Sequence, residues 1–309
     1  MEALAEPISA LPRPSGTRRR RDGAAAILML GPNVTLFTVF VGIPIVGAFA
    51  LSFFAWNLNG TPTWVGLANY TAMIHDPLVS KSVKNTLYFV AMGVVPTVFI
   101  GLGLALLINF QFRGVTIVRS LYLVPAAVSL SASAVIWQYI YAPRFGLLSY
   151  LFDKVGIQPP GEGFLFTPGW ALPSLVVVCI WTTLPIAILL YLAALQRIPQ
   201  SVIEAATLDG AGWLRRVRYV IWPGVSEMTL LVAIISLIAF TASSFDLVNI
   251  LTKGQPIYGT ETLIYYIYYT SVVSSQWGYA AALSALQFVI IVGIVVLLAV
   301  MRRFLARRP

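Results

Sequence analysis

The sequence predicts an all-α integral membrane protein with six transmembrane helices. Three observations carry that prediction. Of 309 residues, 59% are hydrophobic and only 10% are charged. The mean hydropathy of +0.85 lies far from that of a water-soluble chain. The charges are also unevenly spread, leaving uncharged runs at 23–75, 85–112, 120–143, 163–196, 228–245 and 262–301. About 20 apolar residues cross the roughly 30 Å of bilayer hydrocarbon, and the shortest run, Met228 to Phe245, still falls within the usual range.

The spans are expected at about 25–55, 85–109, 118–141, 170–195, 227–250 and 280–301, behind a basic tail at 1–22, so that 23–309 form one transmembrane domain. Arg18 to Arg21 precede the first run as they would in a secretory signal. That run continues well past a signal's apolar core of about 7–15 residues and meets Trp56 and Trp64 instead of a small-residue cleavage site, so it reads as a retained anchor. Pro32 and Pro44 within it predict a kinked or interrupted helix, which a membrane protein tolerates when neighbouring groups satisfy the freed carbonyls.

With these spans the connections alternate between two sides, and the basic residues sort sharply between them. One side holds Arg13, Arg18 to Arg21, Arg113, Arg119, Arg197, Arg215, Arg216, Arg218, Arg302, Arg303, Arg307 and Arg308, whereas the other holds Lys81, Lys84, Arg144, Lys154 and Lys253. Short cytoplasmic loops retain Lys and Arg, so the arginine-rich side is expected to be cytoplasmic, with both termini on it. The net charge of +9 is thereby explained by topology, and nucleic acid is not an expected partner. Cys179 is the only cysteine and His75 the only histidine, which leaves no intramolecular disulfide and no expected metal site.

On the outer side, 57–83, rich in Asn, Gly and Pro, and 142–169, rich in Gly and Pro, read as turn-rich caps. In the third outer segment, 251–279, Tyr265, Tyr266, Tyr268 and Tyr269 fit one side of an interfacial helix, with sugar stacking or partner contact as the other use of such a belt. His75 reads as a loop residue beside Asp76-Pro77. Asp246, near the outer end of span five, is an isolated acid whose reading as an anchor is favoured over a functional one.

The informative inner segment is 196–226. It reads as two short helices joined by a turn. Ser201 and Glu204 have the spacing of a capping box. Thr207 to Asp209 close the first helix, and Gly210 supplies a left-handed residue. Trp213 to Val220 are expected as the second helix, with Pro223 ending it. So small a unit needs something to dock into.

At this segment the chain resembles the membrane subunits of bacterial ABC importers, in the residues of their EAA loop: Glu204, Ala205, Ala206, Asp209, Gly210, Ala211 and Pro223. The likeness runs along nearly the whole chain. Trp64 to Tyr70, Asp76-Pro77, Asn85-Thr86-Leu87, Arg113-Gly114, Pro143 to Leu148, Phe245-Asp246, Leu251 to Pro256 and Thr260 to Leu263 look like the carbohydrate-importer branch, closer to the "first" permease of the maltose and glycerol-3-phosphate type than to its partner. Gln255 stands where a second Gly is usual, Glu227 where a second Pro is common, and Val217 where an aromatic is usual.

The resemblance implies the type I importer permease fold in the bacterial inner membrane. It also implies a second permease subunit, a cytoplasmic ATPase dimer that binds ATP and Mg, an extracytoplasmic substrate-binding protein and surrounding lipid. Glu204, Ala205, Ala206, Asp209 and Gly210 would carry the ATPase coupling. Glu204 either caps its helix or also contacts a basic residue of the ATPase, while Arg215, Arg216 and Arg218 read as topology markers near lipid phosphates. The chain supplies no ATPase of its own: of its four lysines only Lys81 precedes a Ser, and no glycine stands in the six residues before it. On this resemblance it is expected to be a transport subunit with no cofactor of its own, not an enzyme.

For the solute path, Ser129, Ser133 and Trp137 recur at four-residue spacing, and Ser236 and Ser243 are seven apart, each set on one helix face. Thr182, Thr183, Ser284 and Gln287 add neutral hydrogen-bonding groups. Such residues often bond neighbouring helices or their own backbone. The functional reading is a site of hydroxyl, amide and aromatic groups suited to a sugar. A disaccharide, oligosaccharide, polyol or glycerophosphodiester remains open. The rival readings are an ion-gradient-driven secondary transporter, for which no internal repeat is found, and a membrane enzyme, for which the acids do not cluster.

Overall fold

The computed structural model describes residues 28–109 and 114–306; the basic tail at 1–22, together with Arg113, Arg307 and Arg308, lies outside the described residues. The chain divides after Ala50 into two units. In the first, helix α1 (Leu28–Leu51) carries the first apolar run. A π-helical turn at Thr38–Gly42 interrupts it just before Pro44. The wider π turn takes up the hydrogen bond that Pro44 cannot donate.

The second unit opens with a two-stranded antiparallel hairpin, β1 (Phe54–Ala55) and β2 (Thr63–Trp64), in which Phe54 faces Trp64. It is followed by α2 (Ala68–His75) and α3 (Pro77–Asn109). The segment expected as a turn-rich cap therefore contains a helix, and the second span begins at Pro77, eight residues before the sequence reading placed it. Pro77 opens α3, where its missing N–H costs nothing. Asp76 precedes it, and its Oδ1 accepts the Leu78 N–H at 2.8 Å. His75 ends α2 instead of lying in a loop.

The third apolar run is broken. Helices α4 (Val115–Ala127) and α5 (Leu130–Ile140) meet at 106°. Val128 is extended, and Ser129 caps α5 by accepting the Ala132 N–H on its hydroxyl at 3.3 Å. Then come α6 (Leu147–Lys154), inside the second segment read as a turn-rich cap, and α7 (Ala171–Leu195). A short helix, α8 (Gln200–Leu208), leads into α9 (Trp213–Thr252).

Helix α9 is 40 residues long and runs straight through Pro223, which was expected to end a separate short helix. The reason is a second π turn, Val217–Ile221, directly upstream of the proline. Two further helices complete the chain: α10 (Leu263–Val273) and α11 (Trp277–Ala306). Tyr265 and Tyr266 of α10 are buried whereas Tyr269 is exposed, so the tyrosines do not share one lipid-facing side. Among the described residues, five helices are long and apolar enough to cross a membrane, or six if the bent pair counts as one.

The core of the second unit is built by α3, α7 and α9. Phe89, Leu175, Val178, Leu237 and Phe240 pack in one cluster. A second cluster, nearer α8, joins Leu102 and Ala105 of α3 to Ile188 and Tyr191 of α7 and Val225 of α9. Gly101 lets α3 approach α7, since a Cβ there would lie 3.0 Å from that of Ala187. Small residues at such crossings are the usual means of close helix contact in membranes.

Candidate functional site

Two features are positioned by this bundle: an elbow between α7 and α9, and a polar seam where α5, α7 and α9 meet. At the elbow, α7 closes with a tight turn in which the Arg197 and Ile198 N–H groups bond the Ala194 and Leu195 carbonyls at 3.1 and 3.2 Å. Pro199, with extended backbone, then takes the N-cap position of α8, and no side chain caps the helix. The expected capping box is therefore absent. Ser201 already lies inside the helix, so its hydroxyl is in the wrong register to cap, and Glu204 is an exposed carboxylate beyond the first turn.

The far end of α8 is a Schellman closure. The Ala211 N–H bonds the Ala206 carbonyl at 2.9 Å, and the Gly210 N–H bonds the Thr207 carbonyl at 3.0 Å. Gly210 has φ +76°, the left-handed conformation in which glycine escapes the side-chain penalty. Ala206 and Gly210 thus share one closing motif. Arg216 at the start of α9 reaches back and donates from Nη1 to the Thr207 hydroxyl at 2.7 Å, tying the two arms together. Ile198 packs against Gly224, where a Cβ would meet its Cδ1 at 3.0 Å.

Two residues that the sequence reading passed over stand out at the tip. Leu208 is 90% exposed and Leu214 79% exposed, on either side of the Gly210 turn. Two leucines flanking a polar turn in an arginine-rich segment were the available signal. The elbow therefore presents Glu204, Ala205, Asp209 and two bare leucines outward.

The seam divides the predicted path residues. Ser129 is spent as the α5 cap, and Ser133 is buried with its hydroxyl donated to the Ser129 carbonyl at 2.9 Å. The helix break places Ser129 off the expected common face, so of that set only Trp137 is left unexplained by backbone bonding. Trp137 meets Trp181 of α7 edge to face, with centroids 5.9 Å apart. Next to Trp181, the Thr182 hydroxyl donates to the Cys179 carbonyl at 3.0 Å. The Cys179 thiol lies near the side chains of Thr183 and of Ser243 on α9.

Trp137, Thr182, Thr183 and Ser243 are thus gathered around one stretch of α7. Gln287 belongs to α11, whose Leu283, Leu286 and Ile290 pack with Val79 and Val83 of α3; its side-chain oxygen is buried with no hydrogen-bond partner. Ser284 donates to the Ala280 carbonyl of its own helix at 2.9 Å. Asp246 sits half-buried inside α9, six residues before its end.

Known proteins share this architecture. The chain is 32% identical over 272 residues to a probable ABC transporter permease protein of Pyrococcus horikoshii, covering 87% of this chain and 92% of that one. It is also 32% identical over 269 residues to the sulfoquinovosyl glycerol transport system permease protein SmoG of Agrobacterium fabrum, covering 86% of each. Against the sn-glycerol-3-phosphate transport system permease protein UgpA of Yersinia pestis the identity is 30% over 234 residues, covering 76% and 78%. In fold it is similar to a chain of the bacterial alginate ABC transporter solved in complex with an alginate pentasaccharide-bound periplasmic protein, with a TM-score of 0.81 at 20% identity over 94% of this chain and 98% of that one. Residues 97–308 match the family described as the binding-protein-dependent transport system inner membrane component, and the chain belongs to that family of ABC importer permeases.

Proposed function

We propose that this permease passes a polyhydroxylated solute, a sugar or a glycosylated glycerol, along the seam between α5, α7 and α9. The observation that carries this reading is the gathering of Trp137 and Trp181 with Thr183 and Ser243 in apolar helices, Thr182 beside them having its hydroxyl donated, like that of Ser133, to a carbonyl of its own helix. A polyol needs donors, acceptors and a flat apolar face, and those residues offer all three. The runs 120–143, 163–196 and 228–245 contain no Lys or Arg, which disfavours a fully ionised phosphate held by this subunit alone. The relative named for sulfoquinovosyl glycerol handles a saccharide-bearing solute, which is consistent with a saccharide-bearing solute here.

In this reading the elbow faces the cytoplasm, where the flanking arginines favour it. It docks into a cleft of an ATPase that binds ATP and Mg, a second permease completes the path, and a binding protein delivers the solute from the other side. With its capping role gone, the exposed Glu204 carboxylate is free for a charge-assisted bond to a basic group of the ATPase. Leu208 and Leu214 supply the apolar part of the same contact.

The test is reconstitution of the full complex and measurement of ATP hydrolysis across a panel of sugars, glycosyl glycerols and glycerol phosphates, each loaded on the binding protein. Stimulation by saccharide-bearing ligands is expected. Stimulation by glycerol phosphates alone would overturn the substrate class. Glu204→Gln is expected to uncouple hydrolysis from uptake, and unchanged coupling would remove the charge contact.

A further inference from the structure

The sequence motifs that the elbow and the seam leave unused are Asp76-Pro77, Asn85-Thr86, Leu251 to Pro256 and Thr260 to Leu263. They lie far apart in sequence, yet the structure brings them together at the end of α9 farthest from the elbow. Lys253, at φ +50°, ends the helix, and the chain then doubles back. The Thr252 and Thr260 hydroxyls lie 2.7 Å apart across that bend, and Thr260 donates to the Gln255 carbonyl at 2.7 Å. Ser244 of α9 donates to the Thr262 hydroxyl at 3.4 Å.

The doubled-back segment is bound to the first turns of α3. The Asn85 amide donates to the carbonyls of both Tyr258 and Glu261, each at 2.9 Å. Lys81 donates from Nζ to the Ile257 carbonyl. The Thr86 hydroxyl accepts the Leu263 N–H at 2.8 Å. Asp76, just ahead of α3, accepts the hydroxyls of Tyr266 and Tyr279 at 2.5 and 2.9 Å. Three side chains from one short stretch thus bind the backbone of segment 253–263, and Asp76 ties down the helices α10 and α11 that follow it.

We propose that Asn85 is a positioning residue of the transport cycle, clasping segment 253–263 to α3 so that α3 and the 40-residue α9 move as one body. The α9 rod is about 60 Å long at 1.5 Å per residue. Its middle is already held against α3 where Phe240 meets Gly93 and Phe89. Val225, nearer the elbow, joins α9 to α3 as well, and the clasp adds an attachment at the far end, beyond the Phe240 crossing. A push on the elbow, where α9 begins, is then delivered to α3 without loss. Rigid bodies joined at few hinges are the usual carriers of such motion. The inference rests on the reading of the elbow as the ATPase contact.

The test uses the complete reconstituted complex with its binding protein, in a chain carrying Lys84→Cys and Ile257→Cys. Both positions are exposed, and the native Cys179 is fully buried, so a short bis-methanethiosulfonate spacer joins the new pair alone. If the clasp stays shut throughout the cycle, vanadate-sensitive ATP hydrolysis of the cross-linked complex remains within about twofold of the unlinked one. Asn85→Leu is expected to lower that hydrolysis several-fold, and the cross-link is expected to restore it. A linked parent that stalls, or a link that fails to rescue Asn85→Leu, would overturn the proposal. Should Asn85→Leu fail to assemble, Lys81→Met takes its place in the rescue, and the linked parent stands as an independent result. Failure of the elbow reading looks different: Glu204 and Leu208 variants would retain ATPase association and coupling whatever the state of the clasp.

Discussion

Gly93 of α3 lies against the ring of Phe240 of α9 so closely that a Cβ at position 93 would fall 1.8 Å from the ring carbon Cε1. Phe240 is fully buried and rests on Phe89, with ring centroids 5.7 Å apart, so it has no open space into which to swing. Gly93→Ala is therefore expected to destabilise the bundle by about 1–3 kcal/mol through overpacking. The measurement is the thermal midpoint in detergent. Phe240→Leu should recover part of the loss in the double variant although it is destabilising alone, because the two sites share one contact. Strict additivity would show that the two residues do not share this contact.

Gly210 offers the opposite case. A Cβ there would meet nothing within 4 Å, so any cost of substitution comes from the backbone at φ +76°. Gly210→Ala is expected to cost about 1–2 kcal/mol locally, and Gly210→Asn less, since Asn tolerates the left-handed region. The elbow lies on the surface, so overall stability should change little while uptake per ATP hydrolysed falls, in the order Val worse than Ala worse than Asn. A series in which side-chain size sets the defect irrespective of φ preference would contradict this account.

The buried Glu261 predicts a pH dependence whose sign is fixed. Burial first, and the Asp76 charge second, push its carboxyl up from an ordinary 4.5 to about 7, with Lys81 pulling the other way. Between those values the folded protein holds a proton that the unfolded chain has released, so stability falls as pH rises through that window. The contribution is fully present below pH 4.5 and lost above 7. Glu261→Gln removes the titration while keeping the shape. The difference in thermal midpoint between parent and variant is expected to swing against the parent as pH rises from about 4.5 to 7 and to level off beyond it. Parallel curves over that range would show that Glu261 does not titrate there.

How far the sequence could be read follows from the range of the forces involved. Each apolar run falls on a long apolar helix or, for the third, on the bent pair α4 and α5, because exclusion of charge from lipid acts on each residue separately. Several ends and breaks depended on interactions between residues and were misplaced, although 170–195 falls on α7 and the interruption expected near Pro44 is present. Lys81 and Lys84 made the start of α3 look like a loop, although Pro77 and Asp76 form a sound helix beginning. Pro223 read as a stop because a π turn five residues wide cannot be foreseen from helix propensity. Ser201 and Glu204 matched a capping box by spacing, but Pro199 occupies the cap. The Schellman turn at Gly210 was legible because it is local. The clasp was not, since Asn85 and Glu261 are 176 positions apart and no spacing rule links them.

The seam makes the last prediction, and it separates residues that looked alike in sequence. Trp137 offers a ring edge to Trp181, whereas Ser129 and Ser133 are occupied by their own helix. Loss of an aromatic contact is worth about 0.5–1.5 kcal/mol beyond burial, which is roughly two- to tenfold in affinity. Trp137→Ala is therefore expected to raise the half-saturating concentration for uptake by that factor, and Trp137→Phe by less. Ser243→Ala removes a hydrogen-bonding group and should cost about 0.5–1.5 kcal/mol in the same measurement. Ser129→Ala should lower stability by about 1 kcal/mol through loss of the α5 cap and leave the half-saturating concentration unchanged. The ordering is the discriminating quantity. If Ser129→Ala shifts solute affinity as strongly as Trp137→Ala, the bend between α4 and α5 itself shapes the site, and the path lies nearer the break than the seam.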